Sequence, residues 1–214
     1  MKRFIFALLL IIGGYVYSPL FAQSDIELTP QQKEDIIVRM KDKLEDFLFR
    51  LQLMGEKTNP LEVRQKAYDQ AIKLFIGNCE PYYVMNPITG ASERKKAVQM
   101  ETSSVNRSTT NCQPMKQYFK NLLNNRSYTN IKIEQADVIR IDNFRQVGPG
   151  KYEAIASFCQ YFKGYSGDQI RYADKTYKTV KIYIDYTLNR GSSGDEAIFD
   201  IKLGDMKVLA TERI

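Results

Sequence analysis

Between Thr29 and Gly55, apolar residues recur every three or four positions: Ile36, Ile37, Met40, Leu44, Phe47, Leu48, Leu51 and Met54. That spacing predicts one face of a helix, with Lys41, Lys43, Glu45 and Asp46 off the stripe. Thr29 suits the N-cap, Pro30 the first helical position, Gln32 the reciprocal capping position and Gly55 the stop. Such a stripe can dock on a partner or a membrane surface, but with a charged opposite face it reads best as one side of a folded core. A second helix carries similar punctuation. Asn59 can cap it, Pro60 starts it and Glu62 sits in its first turn. Leu61, Ala67, Tyr68, Ala71, Ile72 and Phe75 form its apolar face, Gly77 and Asn78 end it, and Pro81 forbids continuation. A short third helix is expected over about Gln113 to Asn124, with Met115, Tyr118, Phe119, Leu122 and Leu123 on one side.

Elsewhere the period is two. Two short strands are expected between Pro81 and Thr102, joined by a loop at Pro87 to Lys96, and a polar connection follows to Asn111. After Asn130 come four longer alternating stretches: "NIKIEQADVIRID", "YEAIASFCQYFKG", "TYKTVKIYIDYTLN" and "EAIFDIKLGDMKVLA", the last with a bulge at Gly204. In the third, Val180, Ile182, Ile184, Tyr186 and Leu188 form one row, and Thr179, Lys181, Tyr183, Asp185 and Thr187 the other. Short glycine turns between such strands predict a half-buried antiparallel meander. The expected architecture is α+β, with three helices packed on one curved, mainly antiparallel sheet.

The first 22 residues change the picture of where this domain works. Lys2 and Arg3 precede an uncharged apolar run, Phe4 to Val16, and Ala22 offers a cleavage point before Gln23. This is the order of a secretory signal peptide; the run is short of the 20 or so apolar residues of a spanning helix and is interrupted by Gly13 and Gly14. Residues 1–22 therefore read as a signal peptide and 23–214 as a single domain, periplasmic or secreted, with no stable membrane insertion after cleavage. Without Lys2 and Arg3, 29 basic residues face 25 acidic ones, a net +4 with no basic block, so nucleic acid is excluded as a partner.

The chain has no histidine and three cysteines, Cys79, Cys112 and Cys159. The commonest metal ligand and the usual activator of a cysteine or serine are both missing, and no two cysteines have metal or redox spacing. No metal, cofactor or catalytic residue is assigned. An exported chain permits a disulfide. Cys79 and Cys112 both fall at helix ends, where the backbone adapts to disulfide geometry, so a Cys79–Cys112 bond is expected with Cys159 a thiol; two buried thiols are the alternative.

The element order and the long strands "KTVKIYIDYTL" and "EAIFDIKLGDMKVLA" resemble the nuclear transport factor-like α+β cone, also called the cystatin-like roll, over about Thr29 to Ile214. The resemblance implies a pocket between the concave sheet face and the helices, and frequent dimerisation through the convex face. Its members include isomerases, dehydratases and many non-catalytic binding domains. Where they act by acid–base chemistry they often pair an aspartate with a histidine or tyrosine, and here no histidine exists for that role.

Strict alternation in "NIKIEQADVIRID" points Gln135 and Asp137 inward between isoleucines, and in the next strand puts Tyr152, Ala154, Ala156, Phe158, Gln160 and Phe162 inside. Apolar walls with a few convergent polar groups are the pattern of a pocket, so Gln135, Asp137, Gln160 and Tyr152 are its candidates. A bulge near Gln135 would instead send Gln135 and Asp137 to solvent. The outer row, with Ile155, Cys159, Tyr161, Tyr177 and Tyr183, offers a candidate interface for an envelope protein or a second copy in a homodimer. Two functions follow. The first is an exported non-catalytic binding or assembly module acting through its sheet surface. The other is a pocket protein for a small apolar ligand, with isomerase- or dehydratase-like activity as its extreme. N-terminal sequencing of the native protein is expected to start at or within a few residues of Gln23; an intact Met1 in a membrane pellet would contradict the leader.

Overall fold

A computed structural model describes residues 28–86, 89–135, 139–191 and 194–214. The leader and Asp137 lie outside the described residues, as does the side chain of Gln135.

Helix α1 (Pro30–Gly55) starts as its sequence dictates: Thr29 accepts from the Gln32 N–H and its own N–H donates to the Gln32 side chain, closing a capping box. Of the expected stripe, all but Ile37 are fully buried. Each such aliphatic or aromatic side chain contributes about 1.5–3 kcal/mol by leaving water. Phe47 meets Phe75 edge-on at 5.4 Å and Phe119 at 6.3 Å, so one aromatic cluster joins the helical layer.

Helix α2 (Leu61–Lys73) departs from expectation in its register. Asn59 does not cap it; its amide donates back to the Leu53 carbonyl at 3.4 Å. Leu61 is exposed, and the buried face runs through Arg64, Ala67 and Ala71. The two alanines allow close approach to α1. Arg64 reaches underneath: its Nε donates to Met54 O at 3.0 Å and a terminal nitrogen donates to Leu123 O. Those carbonyls belong to the last turns of α1 and α3 (Met115–Leu123), where intrahelical donors run out. One guanidinium thus caps two helix C-termini, the electronegative ends of both dipoles.

A 3-10 turn, Ile76–Cys79, follows α2, with Gly77, Asn78 and Cys79 all at positive φ. Strands β1 (Tyr82–Met85) and β2 (Ser92–Lys95) form a separate antiparallel hairpin. Strands β3 (Gln99–Thr102) and β4 (Asn111–Pro114) pair with each other at one edge of the main sheet; β4 occupies the positions expected to begin the third helix. The remaining strands are β5 (Asn130–Gln135), β6 (Arg140–Gly148), β7 (Lys151–Ser166), β8 (Gln169–Gly191) and β9 (Gly194–Arg213). The seven-stranded sheet runs β4-β3-β9-β8-β7-β5, with β6 also on β7; it is antiparallel except where β3 meets β9 at Met100 and Met206. The α+β class and the meander therefore hold, in a sheet that is mixed at one edge. All three helices and the inner sheet face share one hydrophobic core.

Two irregularities shape the sheet. The single strand expected over Asn130–Asp142 is two, β5 and β6, laid end to end along β7. Gln135 pairs with Gln160 and Arg140 with Ser157, so five residue steps on one side face three on the other. An offset of two preserves which way odd-numbered residues point: Ile131 and Ile133 before it and Ile139 after it are all buried. On β9 an extra residue lies between the Ile182–Leu203 and Val180–Met206 pairs, the bulge expected at Gly204. The Tyr183 ring lies over that glycine, where an added Cβ would come within 2.6 Å of it.

Replacing Arg64 by methionine leaves two buried helix-end carbonyls without donors. The expected loss is about 2–4 kcal/mol in urea denaturation. Arg64→Lys is expected to recover only part of it, because a point-like ammonium cannot serve both carbonyls as a planar fork does. An unchanged midpoint for Arg64→Met would contradict this role.

Candidate functional site

The inner row of β8 holds Val180, Ile182, Ile184 and Tyr186 in the core, as expected. Toward the start of β8 the same row continues with Lys178, Thr176 and Asp174, each only 4% exposed. Parity is unchanged while polarity reverses. Across the ladder, Lys178 pairs with Phe158, Thr176 with Gln160, and Asp174 with Phe162. These residues, with Tyr118 of α3, Tyr128 before β5, and Ser103, Ser104 and Asn106 from the connection after β3, line a pocket of about 260 Å³.

Local structure places each wall. Gly164 of β7 would set an added Cβ 2.6 Å from the Tyr128 ring, so a glycine there lets that ring lie flat on the sheet. The Tyr128 N–H donates to Asn125 Oδ1 at 3.1 Å, and the Lys57 ammonium to the Tyr128 carbonyl at 2.5 Å. Tyr128, Phe162 and Tyr172 then follow edge to face, with centroids 6.1 and 5.9 Å apart. Opposite, the Tyr172 hydroxyl donates to Asp174 Oδ2 at 2.5 Å; its oxygen accepts from the Val105 N–H at 3.1 Å and lies 3.0 Å from Ser104 Oγ. Thr176 donates to Asp174 Oδ1 at 3.2 Å and meets Thr211, which is bonded in turn to Ser103. The polar connection after β3 is thus strapped across the mouth by hydroxyls from β8 and β9.

Asp174 is well supplied with donors; Lys178 and Gln160 are not. Burial pushes the Asp174 carboxyl upward, opposed by the bonds from Tyr172 and Thr176 and by the Lys178 charge. Burial also lowers Lys178 from 10.5 to about 8, with Asp174 pulling the other way. The Tyr118 and Tyr128 hydroxyls are shifted up by burial and by the Asp174 charge they face. Lys178 makes no hydrogen bond or ion pair among the described residues, and Gln160 Oε1 is buried without a partner.

Of the expected pocket residues whose side chains are described, Gln160 and Tyr152, Gln160 lies here. Tyr152 is buried on the same row, but eight residues away, about 26 Å along a strand, and stacks on Phe144 at 5.5 Å. The expected interface residues do face outward, in two groups. Tyr161 and Tyr177 are bridged by the Lys175 ammonium, 5.9 and 5.0 Å from their ring centroids. Exposed Ile155 and half-buried Tyr183 lie further along, where Tyr183 meets Tyr82 hydroxyl to hydroxyl at 3.4 Å. In a larger outer groove of about 650 Å³ near Ile155, Glu153 pairs with Lys181 at 2.7 Å and Arg145 at 3.2 Å, and Asp205 accepts the Gln99 N–H.

The cysteines differ from expectation. Cys79 and Cys112 are separate thiols: Cys79 is buried, its Sγ 3.9 Å from Ile72 O, while Cys112 is exposed on β4, its Sγ 3.9 Å from Gln99 Oε1. Burial pushes the Cys79 thiol up to about 12, which leaves it un-ionised and non-nucleophilic. Cys159 is buried although it sits on the outer row, opposite Tyr177. Among the described residues no cluster of three or more histidine, cysteine or acidic side chains could hold a metal, and no helix is long and apolar enough to cross a membrane. Comparison with family models, curated proteins and solved structures returned no match.

The Lys178 shift has a defined sign. Between about pH 8 and 10.5 the unfolded chain holds a proton that the folded one has released, so the penalty of burying Lys178 is full below pH 8 and fades as pH rises. Lys178→Met is expected to stabilise the protein at pH 7, by up to about 3 kcal/mol, less whatever Asp174 loses with its neighbour. That gain should shrink by pH 10. Denaturation at both pH values checks it; a pH-independent difference would contradict a buried amine.

Proposed function

We propose that this protein binds a small polar ligand in the pocket between α3 and the inner face of β7 and β8. The observation that carries this reading is unmet bonding capacity: Gln160 Oε1 is buried without a partner, and Lys178, only 4% exposed, brings to the same pocket an ammonium with no hydrogen bond or ion pair among the described residues. A buried acceptor left unmade costs about 1–3 kcal/mol, and an unpaired charge more. A ligand that met both would recover that. The position agrees with the pocket implied by the resemblance to nuclear transport factor-like cones. The lining turns the expected ligand from apolar to polar. At about 260 Å³ the space falls below the 300–1,000 Å³ of drug-sized sites, so the ligand is small. Export to the periplasm or the exterior, as the leader implies, makes this an envelope or extracellular binding protein.

Binding, not turnover, is the favoured activity. An aspartate–tyrosine pair exists in Tyr172 and Asp174, but Tyr172 is held by Ser104 and Val105 and Asp174 by Thr176, so both are occupied in holding the mouth strap. A second reading, assembly through the outer face as a homodimer or on an envelope partner, draws on the Tyr161–Lys175–Tyr177 cluster.

Heteronuclear NMR titration of the purified protein with a library of small polar compounds separates the two. Hits are expected to shift the amides of Gln160, Thr176 and Tyr128. Gly164→Ala, which displaces the Tyr128 ring, should weaken them by about tenfold or more. Hits confined to Tyr161, Tyr177 and Ile155 would move the function to the outer face.

A further inference from the structure

The pocket is unevenly supplied with donors and acceptors. The Asp174 oxygens each hold a hydroxyl, from Tyr172 and from Thr176. Lys178 brings three N–H donors, all unused among the described residues, and Tyr118 and Tyr128 bring hydroxyls from the helical side. Against these stands Gln160 Oε1, the buried acceptor without a partner among the described residues. Gln160 pairs with Thr176, and Lys178 is the next inner residue of β8, so a short molecule reaches both.

We propose that the ligand is a small carboxylate bearing an adjacent N–H or O–H group, its carboxylate seated on the Lys178 ammonium and its donor on Gln160 Oε1. This rests on the pocket being the binding site. A carboxylate fits better than a phosphate: among the described residues the lining holds a single cation and no arginine, and the Asp174 charge beside it disfavours a dianion. A neutral sugar-like molecule would satisfy Gln160 but leave the ammonium desolvated and unpaired. Both recognition groups stand on long strands rather than loops, which fixes their spacing.

Three matched probes test this on the purified protein: N-acetylglycine, N-acetylglycinamide, which lacks the charge, and acetoxyacetate, which lacks the N–H donor. N-acetylglycine is expected to bind at the pocket about tenfold or more tightly than either analogue. Lys178→Met should erase the advantage over the amide, and Gln160→Leu the advantage over the ester. Asp174, Tyr172, Tyr118 and Tyr128 share the lining with Lys178, whose ammonium supplies the positive charge that a carboxylate meets and loses its proton above about pH 8, so affinity for N-acetylglycine should fall above that pH. If N-acetylglycinamide shifts the same pocket amides and binds as well, the carboxylate assignment is wrong while the binding pocket stands. If none of the three shifts the pocket amides, the ligand class is overturned on the wild-type protein itself. If pocket amides also stay silent across the wider library, the pocket function falls with it.

Discussion

A buried guanidinium sets the geometry on which the pocket depends. Arg64 joins the C-terminal carbonyls of α1 and α3 from a position on α2, so the three helices cannot slide independently without stranding a charge. That contact fixes where α3 ends, and α3 carries Tyr118 over the inner face of the sheet. It also fixes the start of the segment in which Asn125 positions Tyr128. The aromatic cluster of Phe47, Phe75 and Phe119 adds packing to the same junction, but packing is non-directional and Arg64 supplies direction.

The sheet contributes the other half by continuity. β8 is long enough to serve the core at one end and a polar site at the other with no change in which residues face inward. Its apolar stretch belongs to the core shared with the helices; toward the start of the strand the same row becomes Lys178, Thr176 and Asp174. An extra residue in β9 between the Tyr177–Ala210 and Lys178–Val208 pairs falls where polarity reverses, so the edge beside the pocket bends there. The connection after β3 then crosses the opening and is bound by Tyr172 and Thr211.

Much of this was legible in the pattern of residues. The capping box at Thr29, the stripe of α1, the inward row of β7 and the bulge at Gly204 each depend on local geometry with a fixed period, and each took its expected form. The misses share a cause. Hydrophobicity alone puts Leu61 on the inner face of α2, yet Arg64 takes that face, since satisfying two helix ends outweighs burying one leucine; only the tertiary arrangement presents those carbonyls. The inner row of β8 read from the sequence begins at Val180 and stops short of Lys178, Thr176 and Asp174. Extending the same alternation back to Asp174 would have exposed the anomaly of a lysine and an aspartate on a core face. Tyr152 was grouped with Gln160 because both face inward, but a shared face says nothing about separation along a strand this long. The Cys79–Cys112 bond was argued from flexible ends, and in the structure one thiol is buried beside α2 while the other faces out from β4.

The inner and outer faces of the sheet treat charge in opposite ways, and that contrast bears on where function lies. Outside, lysines are matched: Lys181 with Glu153, Lys151 with Asp185, Lys163 with Glu134, and Lys175 against two tyrosine rings. Such exposed pairs contribute little each and are what a solvated sheet carries to stay soluble and to avoid edge pairing. Inside, Lys178 and Gln160 have no matching groups among the described residues, at positions where methionine and leucine would pack with less strain on stability. Buried groups that lower stability in an otherwise self-consistent fold mark the places where folding alone does not explain the sequence. In this chain those places coincide with a cavity, a strapped mouth and a tyrosine laid against a glycine, so the departure from good packing and the capacity to hold a ligand are one feature of the inner-row positions Gln160 and Lys178.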